Sequence, residues 1–311
     1  MSRHAAIDIG TNSVRLLVAD VSESLSHAPR LVPVLRRLQM TRLGEGLAAG
    51  GRIRPAAAVR TAQAVAKFVA LAAAEGVVTS VLVGTHALRA ARNPDALLTR
   101  VTLPVRILTG DEEARLGYRG VLAGLGPFRL AARLLVADIG GGSVEITWGS
   151  RGRIERSLSL PAGAVVLTER FLAHDPPLAT EIAAVREHLV RAFEPIFARR
   201  SARPLRLVGV GGTITTMAAI DQRLSPYDPD RVHGFTLSRR AVDRITADLL
   251  ARTVAERRRL PGLQSERADI IAAGALVLQR LMASSGVRSV TVSEADLLWG
   301  LVLEASNTRA R

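Results

Sequence analysis

The sequence Asp8-Ile9-Gly10-Thr11-Asn12-Ser13-Val14, close to the start of the chain, returns as Asp138-Ile139-Gly140-Gly141-Gly142-Ser143-Val144. In each copy an apolar run leads into the aspartate and a β-rich run follows the serine, which predicts a tight hairpin of two strands. Backbone N–H groups at a tip with so little side-chain bulk can approach a phosphate closely, and the aspartate can hold a neutralising metal ion. Two such tips predict two related domains that bind one phosphate between them.

The elements predicted around the hairpins also fall into two similar halves. Strands alternate with helices in both, which predicts an α/β fold with a mixed sheet in each half. The turn-forming sequence Gly124-Leu-Gly-Pro127 marks the boundary, so the predicted domains are 1–126 and 127–311. The predicted strands are 5–9, 14–19, 31–38, 77–83, 105–108, 134–139, 144–148, 154–160, 205–210 and 290–292. The predicted helices are 54–75, 111–126, 162–172, 179–198, 213–220, 239–251, 268–283 and a terminal helix over about 295–311. The terminal helix is expected to pack back on the first domain.

Composition limits the partners that the protein can bind. The formal net charge is +14, which predicts a polyanionic partner. Aromatic residues make up only 3% of the chain and no basic helix stands out, so nucleic acid is a poor candidate. Cysteine is absent, which excludes disulfides and thiol nucleophiles. Charged residues interrupt the apolar stretches and no secretory segment opens the chain, so we expect a cytoplasmic protein without membrane contact.

A third glycine cluster, Gly209-Val-Gly211-Gly212-Thr213, stands between a predicted strand and a predicted helix. Its amides and the helix N-terminus are suited to holding an anion. Glycines in succession, as at 140–142, are costly unless the backbone bends sharply or a ligand comes close. The sequence therefore contains three separate segments suited to phosphate.

Six motifs follow one another along the chain: Asp8-Ile-Gly-Thr-Asn-Ser13, Gly84-Thr-His-Ala-Leu-Arg89, Thr109-Gly-Asp-Glu-Glu-Ala-Arg-Leu116, Asp138-Ile-Gly-Gly-Gly-Ser-Val-Glu145, Gly209-Val-Gly-Gly-Thr213, and Leu260-Pro-Gly-Leu263 followed by Glu266-Arg-Ala-Asp269. In this order they resemble the motifs of the Ppx/GppA family of exopolyphosphatases and guanosine pentaphosphate phosphatases, within the acetate and sugar kinase/Hsp70/actin superfamily. The similarity runs along essentially the whole chain and is closest to the short two-domain type found in actinobacteria. It implies two ribonuclease H-like (actin-like ATPase) domains with a cleft between them.

The resemblance implies a catalytic set of Glu113, Asp138 and Glu145. Glu113 matches the glutamate that deprotonates a water for in-line attack on a terminal phosphoryl group. The implied metal ligands are Asp8, Asp138 and Glu145, and the expected ion is Mg²⁺, with Mn²⁺ as the alternative. Glu145 stands where the first copy has Arg15, so it is either a partner of that arginine or a residue that supports the metal. Asp111 is expected to cap the helix that carries Glu113.

The remaining implied site residues bind phosphate. Arg89 and Arg267 lie in family motifs, and a guanidinium suits phosphate oxygens; Arg42 is a weaker candidate. Where many members have an arginine, the segment Ser293-Glu294-Ala-Asp-Leu-Leu-Trp-Gly300 has none. The implied phosphate-binding residues are Gly10, Thr11, Asn12, Ser13, Arg89, Gly140, Gly141, Gly142, Ser143, Gly211, Gly212, Thr213 and Arg267.

The sequence thus predicts an exopolyphosphatase that acts on inorganic polyphosphate, with a preference for short chains and a link to the stringent response. The nearest alternative is hydrolysis of guanosine pentaphosphate. A small-molecule kinase of the same fold would not need Glu113 as a base, and a sensor without turnover would not keep the whole acidic set. A homodimer is the expectation at the level of the family.

Overall fold

The computed structural model describes residues 1–22, 30–126, 133–198 and 205–307. The chain forms two compact units, one of Met1–Pro127 with Ala295–Arg311 and the other of Phe128–Glu294. The elements of the first unit are, in chain order, β1 (Ser2–Ile9), β2 (Ser13–Ser22), β3 (Arg30–Met40), α1 (Leu47–Gly50), α2 (Pro55–Ala74), β4 (Thr79–Gly84), α3 (His86–Ala90), α4 (Asp95–Leu98), β5 (Val105–Ile107) and α5 (Gly110–Leu125).

The second unit contains six strands and seven helices in the part that is described, and α13 follows as part of the first unit. These elements are β6 (Leu134–Ile139), β7 (Val144–Ser150), β8 (Arg153–Leu160), α6 (Ala164–Phe171), α7 (Ala179–Phe197), β9 (Arg206–Val210), α8 (Gly212–Asp221), α9 (Pro229–Val232), β10 (Thr236–Ser238), α10 (Arg239–Ala251), α11 (Val254–Arg257), α12 (Ile271–Ser285), β11 (Ser289–Val292) and α13 (Leu297–Asn307).

Each unit contains one mixed sheet, and the two sheets share a common plan. The order is β3-β2-β1-β4-β5 in the first unit and β10-β11-β9-β6-β7-β8 in the second. In both, the first three strands form an antiparallel meander and a later strand pairs parallel with the first of them. The predicted α/β class with a mixed sheet in each half is confirmed. Because β4 runs parallel to β1 and β9 runs parallel to β6, the two strands of each pair end at the same edge of their sheet. The hairpin tips, which follow β1 and β6, lie at that edge.

Helix α2 is long and apolar enough to span a membrane by length and composition, but its pattern of burial is that of a core helix. Its buried side chains recur every three or four residues, and they pack on β1 and β2. The side chains of this buried stripe are those of Ala57, Ala58, Thr61, Ala64, Val65, Phe68 and Ala72. The other face of α2 is polar or exposed, as expected of a helix at the surface of a soluble core.

The terminal helix α13 packs closely on α5 through two glycines. A Cβ added to Gly120 would lie 1.9 Å from the carbonyl oxygen of Asp296, and one added to Gly300 would lie 2.1 Å from that of Leu116. Only hydrogen fits at both positions, so the two helix backbones approach directly. The predicted terminal helix ends at Asn307 in the structure, and residues 308–311 lie outside the described part.

The differences from the predicted elements are local. Helices α3 and α4 and strand β10 are not among the predicted elements, because runs of three to five residues carry no measurable periodicity. The long helix predicted from residue 268 begins at Ile271, since Ser265–Arg267 forms a separate turn of 3₁₀-helix. The effect is to place Arg267 in a loop before α12 and not on the helix.

Candidate active site

The two hairpins have the same backbone geometry. In the first, Asp8 pairs with Arg15 across the strands, and the N–H of Gly10 donates to the carbonyl oxygen of Ser13 at 2.9 Å. In the second, Asp138 pairs with Glu145, and the corresponding hydrogen bond from Gly140 to Ser143 measures 3.1 Å. The repeat in the sequence is therefore a repeat in structure, with the same register and the same four-residue tip.

The first tip is held through its carbonyl oxygens. The N–H groups of Thr41 and Arg42 donate to the carbonyl oxygen of Asn12 at 3.0 and 2.9 Å, and that of Gly44 donates to Thr11 at 2.8 Å. A Cβ on Gly44 would lie 2.3 Å from Cγ2 of Thr11, so a larger residue there would require the Thr11 side chain to move. Because the carbonyl groups are used for anchoring, the N–H groups of the tip other than that of Gly10, which donates to Ser13, are the ones suited to an incoming anion.

The second tip is anchored in the same manner by a different element. The N–H groups that open α6 reach the tip, those of Ala164 and Val165 donating to Gly140 and Gly141 at 3.0 and 2.8 Å. The N–H of Gly163 donates to Gly142 at 3.2 Å, and a Cβ at Gly163 would lie 2.4 Å from the Gly141 carbonyl carbon. The start of a helix thus holds the tip by its carbonyl oxygens.

The third glycine cluster lies against Asp138 and Arg267, which belong to other motifs of the sequence. Gly211 has φ of +89°, and a Cβ there would lie 2.4 Å from Oδ1 of Asp138. A Cβ on Gly212, the first residue of α8, would lie 1.9 Å from Nη1 of Arg267. The glycines therefore let a predicted metal ligand and a predicted phosphate-binding arginine approach the start of α8. The side chain of Thr213 packs on Gly274 of α12 instead, so its N–H is the group available to an anion.

Glu113 lies in the first turn of α5 and is 9% exposed. Nη1 of Arg89 lies 3.1 Å from Oε2 of Glu113 and donates to the carbonyl oxygen of Leu108 at 2.7 Å. The expected base and an expected phosphate-binding arginine are thus in direct contact, and the ion pair holds the carboxylate in place. Burial, and to a lesser extent Arg89, lowers the pKa of His86 on the same short helix to about 4.

The expectation that Asp111 caps α5 is wrong. The N-cap is Thr109, whose hydroxyl accepts the N–H of Glu112 at 3.2 Å while the Glu112 carboxylate accepts the N–H of Thr109 at 2.9 Å. Asp111 pairs with Arg115 one turn later. Backbone hydrogen bonding from Thr109, with help from Arg106, lowers the pKa of Glu112 to about 2. The three acidic residues therefore have three different surroundings, and Glu113 is the buried one.

Asp8 belongs to a buried group of charges in the first unit. Oδ2 of Asp8 accepts from Nη2 and Nε of Arg15 at 2.7 and 3.0 Å. Nη1 of Arg15 donates to Asp296, whose other oxygen accepts the N–H of Leu298 at 2.9 Å. Oδ1 of Asp8 is buried without a hydrogen-bond partner in the described part of the chain, and burial raises the pKa of Asp8 against the effect of Arg15. Sequence reasoning did not single out Asp296, which lies 281 positions from Arg15.

Asp138 and Glu145 place two carboxylates directly opposite each other on one hairpin. Glu145 is buried, and its Oε1 accepts the hydroxyl of Ser159 on β8 at 2.7 Å. Like charges directly across two strands repel each other, so this arrangement favours a bound cation. Within the described ranges there is no group of three or more acidic or histidine side chains that could hold a metal ion. A pair of carboxylates suits Mg²⁺, which keeps several waters and also binds substrate phosphates.

Comparison with known proteins identifies the family. The sequence profile of the Ppx/GppA phosphatase family matches residues 17–308. The chain belongs to this family. It is 35% identical to exopolyphosphatase 2 of Mycobacterium tuberculosis, over 97% of the chain and 98% of that protein. Exopolyphosphatase 1 of the same species is 29% identical over 99% of the chain and 89% of that protein.

Solved structures of the Ppx/GppA family share the fold. A family member from Aquifex aeolicus is 30% identical and has a TM-score of 0.82, with 100% of this chain and 99% of that chain covered. An exopolyphosphatase from Cytophaga hutchinsonii is 26% identical with a TM-score of 0.87, covering 99% and 98%. The predictions of the family, the fold class and a phosphoanhydride hydrolase are therefore confirmed. The roles assigned to individual residues stay predictions.

Proposed function

We propose that the protein is an exopolyphosphatase that releases orthophosphate from the end of inorganic polyphosphate. The observation that carries the proposal is the contact between Arg89 and Glu113. It joins a carboxylate suited to activating water to a guanidinium suited to phosphate oxygens. Two mycobacterial relatives named exopolyphosphatase, matched over almost the whole chain, support the same substrate.

In the proposed reaction, the terminal phosphoryl group is held by backbone N–H groups of the first tip and by Arg89, which belong to the same unit as Glu113. The second tip and Arg267 stay predicted phosphate-binding groups of the other unit. Glu113 accepts a proton from a water molecule as the water oxygen forms its bond to phosphorus. The phosphoanhydride bond on the opposite side breaks, and the shortened polyphosphate keeps the bridging oxygen. The charge that develops on the phosphoryl oxygens is stabilised by N–H and guanidinium donors that are already in position.

We propose Mg²⁺, with Mn²⁺ as the alternative, as the metal that the family requires. Asp138 and Glu145 would hold it, because they are the opposed carboxylates of one hairpin; Asp8 is the further predicted ligand. The ion would supply neutralisation of the phosphate charge. Oδ1 of Asp8, which is buried and has no hydrogen-bond partner among the described residues, is compatible with a cation, although Arg15 already occupies the other oxygen.

The experiment that tests this function compares orthophosphate release from tripolyphosphate, long-chain polyphosphate and guanosine pentaphosphate, each with and without Mg²⁺. We expect release from polyphosphate that requires the metal and is greater with short chains. Faster release from guanosine pentaphosphate would assign the alternative substrate of the family. ATP-dependent transfer to an acceptor, with no hydrolysis of either compound, would reject hydrolase activity altogether. A cytoplasmic location and a homodimer remain predictions that fractionation and light scattering can check.

A further inference from the structure

A group of basic side chains lies beside the first hairpin tip, and the proposed chemistry does not use it. We call Glu45, Arg54 and Arg60 the Glu45 cluster. Nη1 of Arg54 lies 2.9 Å from Oε1 of Glu45, and Nη2 of Arg60 lies 3.2 Å from Oε2. The exposed fractions of the side chains are 42% for Glu45, 59% for Arg54 and 45% for Arg60. One carboxylate therefore faces two guanidinium groups, and a net positive charge is left in contact with solvent.

Hydrogen bonds connect this cluster to the tip. Nε of Arg60 donates to the carbonyl oxygen of Thr41 at 3.3 Å, and the N–H of Thr41 donates to the carbonyl oxygen of Asn12 at 3.0 Å. Glu45 belongs to the same loop, since its N–H donates to the carbonyl oxygen of Arg42 at 3.0 Å. The loop that anchors the tip is therefore also the loop that organises the two exposed arginines.

The guanidinium of Arg54 is held in place by the backbone. Gly46 has φ of +73°, and a Cβ there would lie 2.8 Å from Nη2 and 3.0 Å from Cζ of Arg54. With hydrogen in that position, the guanidinium packs against the loop while Glu45 holds one of its edges. A guanidinium that is already fixed loses little freedom when an anion binds to it.

The N-terminus of α2 adds positive charge to the same surface. Arg54 is the N-cap of this 20-residue helix, makes no side-chain capping hydrogen bond, and is followed by no acidic residue in the first turn. The N-terminus of a helix carries partial positive charge, and Glu45 is a carboxylate that already lies against Arg54 there. The two arginines and the helix N-terminus therefore leave an excess of positive charge after the pairing with Glu45.

We propose that the Glu45 cluster binds the phosphates of polyphosphate that follow the terminal one, and so strengthens the binding of chains that extend past the tip. This inference rests on the proposed function, because it takes the tip as the place where the terminal phosphate binds. Charge, proximity to the tip and a preformed guanidinium all favour a linear polyanion at this surface. The cluster makes no contribution to the chemical step.

The test is the double variant Arg54→Gln with Arg60→Gln. We expect its KM for long-chain polyphosphate to rise about tenfold, the change that a difference of about 1.4 kcal/mol in binding produces. Its kcat on both substrates should stay at the wild-type value. Its KM for tripolyphosphate, which is too short to reach far past the tip, should stay within about twofold, since exposed charges act weakly at a distance.

The matched control is Arg186→Gln with Arg191→Gln, which removes the same charge from the exposed face of α7 in the other unit. Equal KM shifts in both double variants would show that net charge, and not the cluster, determines affinity, and would overturn the inference. Unchanged KM for long chains in the Arg54 and Arg60 variant would overturn it as well. Failure of the wild-type enzyme to release orthophosphate from both tripolyphosphate and long-chain polyphosphate would instead reject the proposed function. Binding of long-chain polyphosphate to the same variants, measured without turnover, would still decide the role of the cluster.

Discussion

The two hairpins share their backbone and differ in one cross-strand pair. In the first, Asp8 faces Arg15, and the aspartate is neutralised by a neighbour on its own sheet. In the second, Asp138 faces Glu145, so the position across the strands from the aspartate carries a carboxylate in place of a guanidinium. The same turn can therefore serve two purposes: a closed ion pair stabilises the fold, whereas an opposed pair of carboxylates calls for a cation from outside.

In the proposed reaction the water-activating base is Glu113 and not a residue of either hairpin, and the largest expected effect tests that assignment. Glu113→Gln should leave the fold and polyphosphate binding intact and lower kcat by about 10²–10⁴-fold, because only proton transfer is lost. Stopped assays of orthophosphate release and equilibrium binding of polyphosphate measure the two quantities. Glu112→Gln, one residue earlier and exposed, is the control and should keep kcat while losing part of the capping box. Wild-type turnover in the Glu113 variant would mean that one of the hairpin carboxylates is the base.

Replacing Glu145 of the second pair should affect activity more than stability. For Glu145→Gln we expect kcat to fall about 10–100-fold and the Mg²⁺ concentration for half-maximal rate to rise, the usual result of disturbing a metal site. A metal titration of the rate measures both. Glu155→Gln on β8, which changes an exposed glutamate paired with Arg133, is the control. A loss of stability with unchanged metal dependence would place Glu145 in a structural role, like its counterpart in the first hairpin.

Replacing the basic member of the first pair should have the opposite outcome. Arg15→Gln leaves Asp8 buried without its partner, so the free energy of unfolding should fall by about 3 kcal/mol. Urea unfolding of this variant and of Arg3→Gln, whose ion pair with Asp20 is more exposed, gives the comparison. If Arg15→Gln unfolds like the wild type but loses turnover, then Arg15 acts on substrate and the two hairpins are functionally alike.

The glycines that anchor the two tips differ in how far their neighbours can move to accept a larger side chain. At Gly163 a Cβ would meet the backbone of Gly141, whereas at Gly44 it would meet the end of the Thr11 side chain. Gly163→Ala should therefore cost more stability than Gly44→Ala, roughly 1–3 kcal/mol against less than about 1 kcal/mol. Thermal unfolding of both variants, with Gly50→Ala at an open position without positive φ as the reference, checks the order. Equal losses would mean that both tips adjust equally well.

The smallest expected effect is a pH dependence in the first unit. Burial and Arg89 depress the pKa of His86 from 6.5 to about 4 in the folded protein. The unfolded chain then binds a proton that the folded chain does not, so stability should fall as the pH drops from about 6.5 towards 4. His86→Gln should flatten this part of the profile of unfolding free energy against pH. An unchanged slope would show that other groups cause the loss of stability in acid.

A feature of the candidate site could be predicted from the sequence when the residues that form it are close together along the chain. The tips could be predicted because Gly10 and Ser13, or Gly140 and Ser143, interact within four residues. The Thr109 cap was not predicted, although the capping sequence Thr109-x-x-Glu112 is equally local. Asp111, in the run of acidic residues, is itself of a type that favours the N-cap, and it was chosen instead. No local pattern indicates that Asp296 holds Arg15 or that Arg267 lies on Gly212.

The sequence by itself determined the family, the α/β class with a mixed sheet in each half, and the repeated tips, because these depend on periodicity and on turns a few residues long. Only the tertiary structure decided which charge faces which. In the folded chain Arg15 binds both Asp8 and Asp296, a carboxylate from near the end of the chain. Asp138 lies opposite Glu145, and Arg89 contacts Glu113. Side-chain pairing across strands and between distant segments follows from register and packing, and neither can be read along a single stretch of sequence. The hairpin that occurs twice in the sequence therefore carries two different cross-strand charge pairs in the folded protein.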